Sequence, residues 1–238
     1  MRAQDQSLTS LEIDDGAPDT ESRRHQRRMD QKYRYERHIF DISRRFFLFG
    51  RDRAIAELRL ASGNTVLEIG CGTGRNLKQM VARTADASFV GIDISSEMLK
   101  SARAKISKSR LDSRVRLLHG DATRLPRLPF PSGKASRVLM SYSLSMIPDW
   151  RAALVAAIDA LEVGGILSIV DFGDFSALGP RVARYCIDCL SRHDAPPCLA
   201  LGEELQRHAG AGAIAFRHFQ GPANFYQIAV VQKARHAG

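Results

Sequence analysis

The sequence lacks long apolar runs and has few cysteines. Of its 238 residues, 44% are hydrophobic and 26% are charged, a composition typical of globular proteins. No apolar run approaches the roughly 20 residues that span a bilayer. The first residues contain no apolar stretch of the secretory type, so we expect no signal peptide. The four cysteines are too few and too unevenly placed for a disulfide framework, and we expect reduced thiols in a cytoplasmic protein.

Positive charge is concentrated in one part of the chain. The formal net charge is +9, yet residues 1–21 hold one Arg against six acids, a net of −5. Residues 22–51 hold ten Lys and Arg against three acids, a net of +7. A basic block of this kind favours an anionic partner, which is either nucleic acid or a lipid surface.

The chain divides into three regions. We expect the polar residues 1–28 to form a disordered tail, residues 29–60 to form amphipathic helices that act as a lid, and residues 61–238 to form the main domain. The second region carries apolar side chains at steps of three and four, as one face of a helix does. These are Tyr35, Ile39, Ile42, Phe46 and Phe49.

Strand and helix patterns alternate through the main domain. The predicted strands are 65–70, 88–93, 114–118, 136–142, 165–172, 213–219 and 223–232. The predicted helices are 74–84, 95–108, 149–162, 178–192 and 202–209. The alternation predicts a doubly wound α/β fold with a seven-stranded, mostly parallel sheet. Too little chain separates the last two strands for a crossover, so we expect them to form an antiparallel hairpin.

The first strand runs directly into three glycines at alternate positions, in the sequence VLEIGCGTGRN. A tight strand-to-helix turn would explain the glycines alone, and a dinucleotide site would need the different spacing G-x-G-x-x-G. Asp93 ends the second strand about 20 residues later, where an acid can bind a ribose. Asp121 follows the third strand, where a carboxylate suits an adenine amino group and the Ala122 N–H suits a ring nitrogen. These elements predict a nucleoside site at the carboxyl ends of the strands.

Residues 65–172 resemble the class I S-adenosylmethionine (SAM)-dependent methyltransferases. The resemblance rests on the E-x-G-x-G-x-G pattern from Glu68 to Gly74, on Asp93 and on Asp121. It implies a Rossmann-like sheet with an antiparallel last strand, SAM as cofactor, and methyl transfer as activity. The cofactor-binding residues that it implies are Glu68, Gly70, Cys71, Gly72, Thr73, Gly74, Asn76, Asp93, Ile94, Met98, Asp121, Ala122 and Ser141.

Three further stretches resemble a narrower group, the lipid headgroup N-methyltransferases that convert diacylglyceryl-homoserine to its trimethyl betaine lipid. They are DQKYRYERHIFDISRRFFLFGRDRAI, SYSLSMIPDW at 141–150, and IVDFGDFSALGP at 169–180. Phe40 and Arg45 depart from this group's pattern, which has Tyr and Trp there. The resemblance implies a lipid headgroup amine as acceptor. A soluble small molecule and phosphatidylethanolamine are the alternatives, and nucleic acid is less favoured because the Asn/Asp-Pro-Pro-Tyr/Phe signature is absent.

Catalysis of methyl transfer depends mainly on alignment, because a sulfonium is already activated. We predict Tyr33 and Tyr142 as catalytic residues, since aromatic faces favour methylated cations, and the hydroxyls and carbonyls of 141–143 as groups that hold an amine. His38 and Asp171 are weaker candidates for a base. We expect no metal, because the Cys186, Cys189, His193 and Cys198 spacing misses the usual zinc pattern.

The basic, apolar segment 31–50 has two interpretations. It could lie in a membrane interface and give the enzyme a peripheral position on the inner face of the membrane, without a transmembrane segment. It could instead pack its apolar stripe on the domain as a lid. The two are compatible, and the oligomeric state is left open.

Overall fold

The computed structural model describes residues 49–234. The predictions that fall on residues 1–48, including Tyr33, His38 and most of the lid, lie outside the described residues. The division into tail, lid and main domain therefore stays a prediction.

Strands and helices alternate as the sequence predicts. The strands are β1 (Thr65–Ile69), β2 (Ser88–Asp93), β3 (Val115–His119), β4 (Ala135–Ser141), β5 (Leu161–Phe172), β6 (Ile214–Gln220) and β7 (Tyr226–Lys233). The helices are α1 (Arg51–Glu57), α2 (Arg75–Val81), α3 (Ser96–Lys108), α4 (Trp150–Asp159), α5 (Pro180–Arg192) and α6 (Leu201–Gly210). Short 3-10 helices lie at Leu144–Met146, Ser176–Leu178 and Pro222–Asn224.

All seven strands form one sheet in the order β3-β2-β1-β4-β5-β7-β6. Strands β1 to β5 pair in parallel, while β7 runs antiparallel to both β5 and β6. The predicted seven-stranded sheet with an antiparallel C-terminal hairpin is confirmed. The order reverses between β1 and β4, and in open α/β sheets ligands bind outside the carboxyl ends of the strands at such a switch point.

The sheet is covered on both faces, because its side chains alternate between two apolar clusters. On β1, Val66 lies in one cluster while Leu67 and Ile69 lie in the other. The first cluster packs the sheet against α1, α2 and α3. The second packs it against α4 and α6. The core therefore holds β1 and its neighbours rigidly beneath the loops at their carboxyl ends.

The structure corrects several predicted boundaries, among them the end of α1 and the start of β5. The helical region that we expect to extend to residue 60 ends at Glu57. Strand β5 begins at Leu161 rather than at residue 165, because Ala135 pairs with Leu161 before a shift in register. The glycine pair at 164–165 lies in this irregular part, and glycine in a strand interior commonly marks a bulge.

Within residues 49–234, no helix combines the length and the apolar character that crossing a membrane would require.

Candidate functional site

The glycine turn after β1 is held in a left-handed backbone conformation. Gly70, Gly72 and Gly74 have φ angles of 72°, 52° and 72°, which L side chains rarely adopt. The N–H groups of Gly70 and Cys71 both donate to the carbonyl of Ile92, at 2.8 and 3.0 Å. This ties the turn to the end of β2, so that the loops following two adjacent strands form one surface.

Two of these glycines face different surroundings. A Cβ on Gly70 would overlap the Cβ of Ser143, which follows β4, whereas a Cβ on Gly72 would meet no atom within 4 Å. The Ser143 hydroxyl donates to the Ile69 carbonyl at 3.0 Å. Gly70 is therefore required by internal packing, and Gly72 borders open space into which a ligand can approach the backbone.

Asp93 links the turn to the end of β2. Its Oδ2 accepts the Gly72 N–H at 2.7 Å, and its Oδ1 accepts the Ser95 N–H at 2.9 Å. Ser95 in turn caps α3, since its hydroxyl accepts the Met98 N–H at 3.3 Å. The carboxylate thus fixes the glycine turn and the start of α3 relative to each other.

Glu68 is buried on β1 beneath the glycine turn, with 1% of its surface exposed. Its Oε1 accepts a hydrogen bond from Asn76 Nδ2 at 2.8 Å. Burial raises the pKa of Glu68 from 4.5 to about 8, with a further increase from the charge of Asp93 and an opposing decrease from the Asn76 hydrogen bond. A cation bound beside it would favour its ionised form.

We expect the stability of the protein to depend on pH through Glu68. Between pH 4.5 and about 8, Glu68 stays protonated in the folded state but ionises in the unfolded state, so stability falls as pH rises. Glu68→Gln removes this titration while preserving an acceptor for Asn76. Relative to the variant, the native protein should therefore lose on the order of 2–4 kcal/mol between pH 5 and pH 8.5. Urea unfolding of both proteins at the two pH values measures the difference. Parallel pH profiles would contradict it.

Asp121 and Ala122 lie beside Asp93 at the end of β3. The Gly120 N–H donates to the Asp93 carbonyl at 3.1 Å, which draws the β3 loop against β2. Asp121 Oδ1 accepts both the N–H and the hydroxyl of Thr123, each at 2.8 Å. The acid is therefore held in place by its own turn, at the position where the sequence predicts an adenine contact.

A small apolar cluster, distinct from the two core clusters, contains residues from three of the loops and turns at this edge. Met98 is buried, and Ile94 and Met146 pack against it. The three side chains come from the β2 loop, the first turn of α3 and the 3-10 helix after β4. They form an apolar surface between the ends of β2 and β4, which suits a flat aromatic ring.

The hydroxyls after β4 have unequal surroundings. Ser141 Oγ is buried without a hydrogen-bond partner. Tyr142 has a φ of 53°, and its hydroxyl donates to the Phe49 carbonyl at 2.6 Å. Burial raises the pKa of Tyr142 well above its ordinary value, with a further increase from Asp171. Tyr142 thus anchors the start of the described chain, and its catalytic role stays a prediction.

Asp171 lies fully buried in β5. One carboxylate oxygen accepts the Ser145 N–H at 2.9 Å and the other accepts the Phe172 N–H at 2.8 Å. Burial raises its pKa, while these hydrogen bonds oppose the increase. Through the bond to Ser145, Asp171 holds the loop after β4 in place, so we assign it a positioning role.

The cysteines are packed or surface residues in this structure. Cys71 is buried, and a Cβ on Gly91 would lie 2.9 Å from its Sγ. Burial raises the pKa of the Cys71 thiol well above its ordinary value. Cys186 and Cys189 lie on α5, and Cys198 is buried. Across residues 49–234, no three His, Cys, Asp or Glu side chains are grouped to hold a metal ion.

Two contributors to this edge were not predicted as site residues. Ser95 precedes a predicted helix and matches the N-cap preference for serine, so a local signal for its capping role was present. His119 Nε2 lies 2.9 Å from the Ile94 carbonyl, a contact between two strand ends that no local pattern indicates.

Comparison with known proteins agrees with this geometry. Residues 66–165 match a family described as "Methyltransferase domain". The demethylmenaquinone methyltransferase of Listeria monocytogenes serotype 4a is 30% identical over 138 residues, which cover 58% of this chain and 56% of that enzyme. The ubiquinone/menaquinone biosynthesis C-methyltransferase UbiE of Coxiella burnetii is 26% identical over 169 residues, which cover 66% of each. The chain thus spans little more than half the length of the first of these relatives.

A solved structure shows the same fold. An O-methyltransferase family protein from Burkholderia thailandensis superposes with a TM-score of 0.65 at 17% identity, over 87% of this chain and 63% of that protein. Together with the site, these findings identify residues 66–165 as a methyltransferase domain. The methyltransferase class predicted from the sequence is confirmed. The narrower expectation, that the methyl acceptor is diacylglyceryl-homoserine, stays a prediction.

Proposed function

We propose that the protein transfers a methyl group from SAM to a lipophilic small molecule. The observation that carries the methyltransferase activity is the joining of the glycine turn to Asp93 through the Gly72 N–H, at 2.7 Å. This joint lies beside the point where the strand order reverses between β1 and β4. Bound SAM supplies a methyl group on a positively charged sulfur.

The described residues fit SAM at this edge of the sheet. Gly72 leaves room for the ligand to contact the backbone, and Asp93 offers carboxylate oxygens for ribose hydroxyls. Asp121 with the Ala122 N–H would bind the adenine edge, and Met98 with Ile94 would pack on the ring. Four further predicted cofactor residues, Cys71, Thr73, Gly74 and Asn76, lie in the turn or on α2 behind it.

Two lines of support favour a lipophilic acceptor. The Listeria and Coxiella relatives are named for demethylmenaquinone and for ubiquinone or menaquinone biosynthesis. The segments that resemble the betaine-lipid enzymes favour a lipid headgroup amine instead. Both candidate acceptors are small molecules with long apolar tails, and a lipophilic small molecule is therefore the class that we propose. The two candidates differ in the atom that is methylated, which is a ring carbon in the quinone and a nitrogen in the lipid headgroup.

The two acceptors require different proton handling. An amine is protonated near neutral pH, since a primary ammonium has a pKa of roughly 10, and it must lose this proton to water before its lone pair can attack. A ring carbon instead loses its proton after the methyl group has been transferred.

We expect the purified protein to place label from methyl-labelled SAM into an organic-soluble product. The substrates would be demethylmenaquinone and total lipid from a strain that makes diacylglyceryl-homoserine, each in detergent. Chromatography then separates labelled quinone from labelled headgroup amine. Asp93→Ala should abolish the label, and Asp86→Ala, at the opposite end of β2, should preserve it. Label found only in RNA or in water-soluble amines, with SAM binding intact, would overturn the lipophilic acceptor but not the methyltransferase assignment.

A further inference from the structure

Positive charge within residues 49–234 is concentrated at one edge of the sheet. From the start of α3 to residue 127 there are nine Lys and Arg against three acids, a net of +6. The rest of residues 49–234 holds 15 Lys and Arg against 14 acids, a net of +1. Nearly all of the net charge in this part of the chain therefore comes from α3, β3 and the loops after them.

Eight of these nine basic side chains are exposed. Leu99 and Ile106 turn one side of α3 into the core, which leaves the rest of the helix surface to the solvent. Strand β3 is an outermost strand of the sheet and pairs only with β2. Arg114 is the half-buried exception, and its guanidinium donates to the backbone carbonyls of Thr84 and Ala87. We call the eight exposed residues the basic edge: Lys100, Arg103, Lys105, Lys108, Arg110, Arg116, Arg124 and Arg127.

Acids do little to neutralise the basic edge. Among residues 96–127 only Asp112 is an exposed acid. Glu97 forms an ion pair with Lys100, 2.7 Å long, and Asp121 accepts hydrogen bonds within its own turn. Successive basic residues on α3 are two or three positions apart, an axial rise of about 3–4.5 Å. This rise is shorter than the Debye length of about 8 Å at physiological salt, so their fields add.

Protection of a sheet edge explains only part of this charge. A charged side chain on an outermost strand hinders pairing with another chain, which is a sufficient reason for Arg116. A helix has no unpaired strand edge, so the four basic residues on α3 need another reason. Basic side chains stabilise the last turn of a helix, but Lys100 and Arg103 lie ahead of that turn. The charge of α3 therefore indicates an anionic partner.

The composition of this edge favours a lipid surface over nucleic acid. Residues 96–127 contain no Asn or Gln and no Phe, Tyr or Trp. In nucleic-acid-binding proteins Asn and Gln read base edges, and aromatic rings stack on unpaired bases. A bilayer of anionic lipids instead presents a plane of charge, to which Lys and Arg bind without either kind of group.

We propose that the basic edge binds the anionic headgroup surface of a lipid bilayer. The loop after β3 carries Arg124 and Arg127 together with Asp121, so the basic edge extends to the strand ends at which we propose that SAM binds. Each Lys or Arg near an anionic surface strengthens binding roughly fivefold. Binding through these charges requires no particular methyl acceptor, so it stands or falls independently of the proposed function.

Vesicle sedimentation of the intact chain tests the basic edge. The vesicles would be made of phosphatidylcholine with or without phosphatidylglycerol. We expect Arg103→Gln/Lys108→Gln/Arg116→Gln to weaken binding to the anionic vesicles about a hundredfold, as three fivefold steps require. Gln is close to Arg and Lys in helix propensity, so α3 should stay folded. Residues 1–48 are the same in both proteins, so their own charge does not affect the comparison.

The matched control removes three charges from another surface. Arg181, Arg184 and Arg192 are exposed on α5. Arg181→Gln/Arg184→Gln/Arg192→Gln changes the net charge by the same amount and should bind the anionic vesicles as the native protein does. Both triple variants should keep the native midpoint of urea unfolding, which reports an intact fold whether or not SAM binds.

Four results would overturn the proposal. Equal weakening in both triple variants would show that only the total charge matters. Native binding by the basic-edge variant would place the contact elsewhere in the chain. Equal binding to vesicles with and without phosphatidylglycerol would show that anionic headgroups are not recognised. Failure to bind anionic vesicles, together with binding of a labelled RNA duplex that the basic-edge variant loses, would assign the edge to nucleic acid.

Discussion

Asp93→Ala is expected to weaken SAM binding at least about a hundredfold. Hydrogen bonds to a charged group contribute roughly 1.5–3 kcal/mol each, and a loss of about 2.7 kcal/mol corresponds to a hundredfold change in Kd. Asp93 also holds the Gly72 and Ser95 N–H groups, at 2.7 and 2.9 Å. The substitution therefore removes both the proposed ribose ligand and the support of the turn. Isothermal titration with SAM and with S-adenosylhomocysteine measures the effect.

The matched control for this prediction is a substitution of Asp86, next to the other end of the same strand, β2. Asp86 is an exposed acid just before β2, at the end of the sheet opposite Asp93, and Asp86→Ala should leave Kd unchanged. Asp93→Asn retains one acceptor oxygen and should give an intermediate Kd. If Asp93→Ala stayed folded and bound SAM with native affinity, the cofactor would have to lie elsewhere on the sheet.

The parts of the site that sequence reasoning predicts well are governed by local chemistry. A glycine with positive φ, an acid at a strand end and a serine before a helix each leave a pattern within a few residues. The turn from Gly70 to Gly74 and the strand end at Asp93 therefore lie where the sequence predicts them. The alternation of strands and helices has the same local origin, because the period of the apolar residues differs between the two.

The parts that sequence reasoning does not predict depend on distant residues. The start of β5 depends on its pairing with Ala135. The role of Tyr142 as an anchor depends on its hydrogen bond to the carbonyl of Phe49, 93 positions earlier. Asp171 is a candidate base from the sequence, yet its oxygens accept backbone N–H groups. Such contacts depend on the register of the sheet, which no short stretch of sequence specifies.

The three left-handed glycines Gly63, Gly70 and Gly72 allow backbone strain, packing and ligand approach to be separated. Gly63 and Gly70 have nearly equal φ angles, 75° and 72°. A Cβ on Gly63 would meet no atom within 4 Å, whereas one on Gly70 would overlap Ser143. Gly63→Ala should therefore lower the free energy of unfolding by about 1–2 kcal/mol, the cost of a left-handed alanine. Gly70→Ala should lower it by roughly 2–5 kcal/mol, because overpacking adds about 1–3 kcal/mol to the same strain.

Gly72→Ala should behave differently from both, since its φ is 52° and its Cβ position is open. We expect a loss of stability close to that of Gly63→Ala. We also expect at least about a tenfold loss of SAM affinity, because the alanine methyl group would occupy space that the ligand needs. A tenfold change in Kd corresponds to only about 1.4 kcal/mol. Urea unfolding and titration of the three variants measure both quantities. Unchanged SAM affinity in Gly72→Ala would mean that the ligand does not approach this backbone. Equal stabilities of Gly63→Ala and Gly70→Ala would mean that Ser143 yields without cost, and that Gly70 is required only for its backbone conformation.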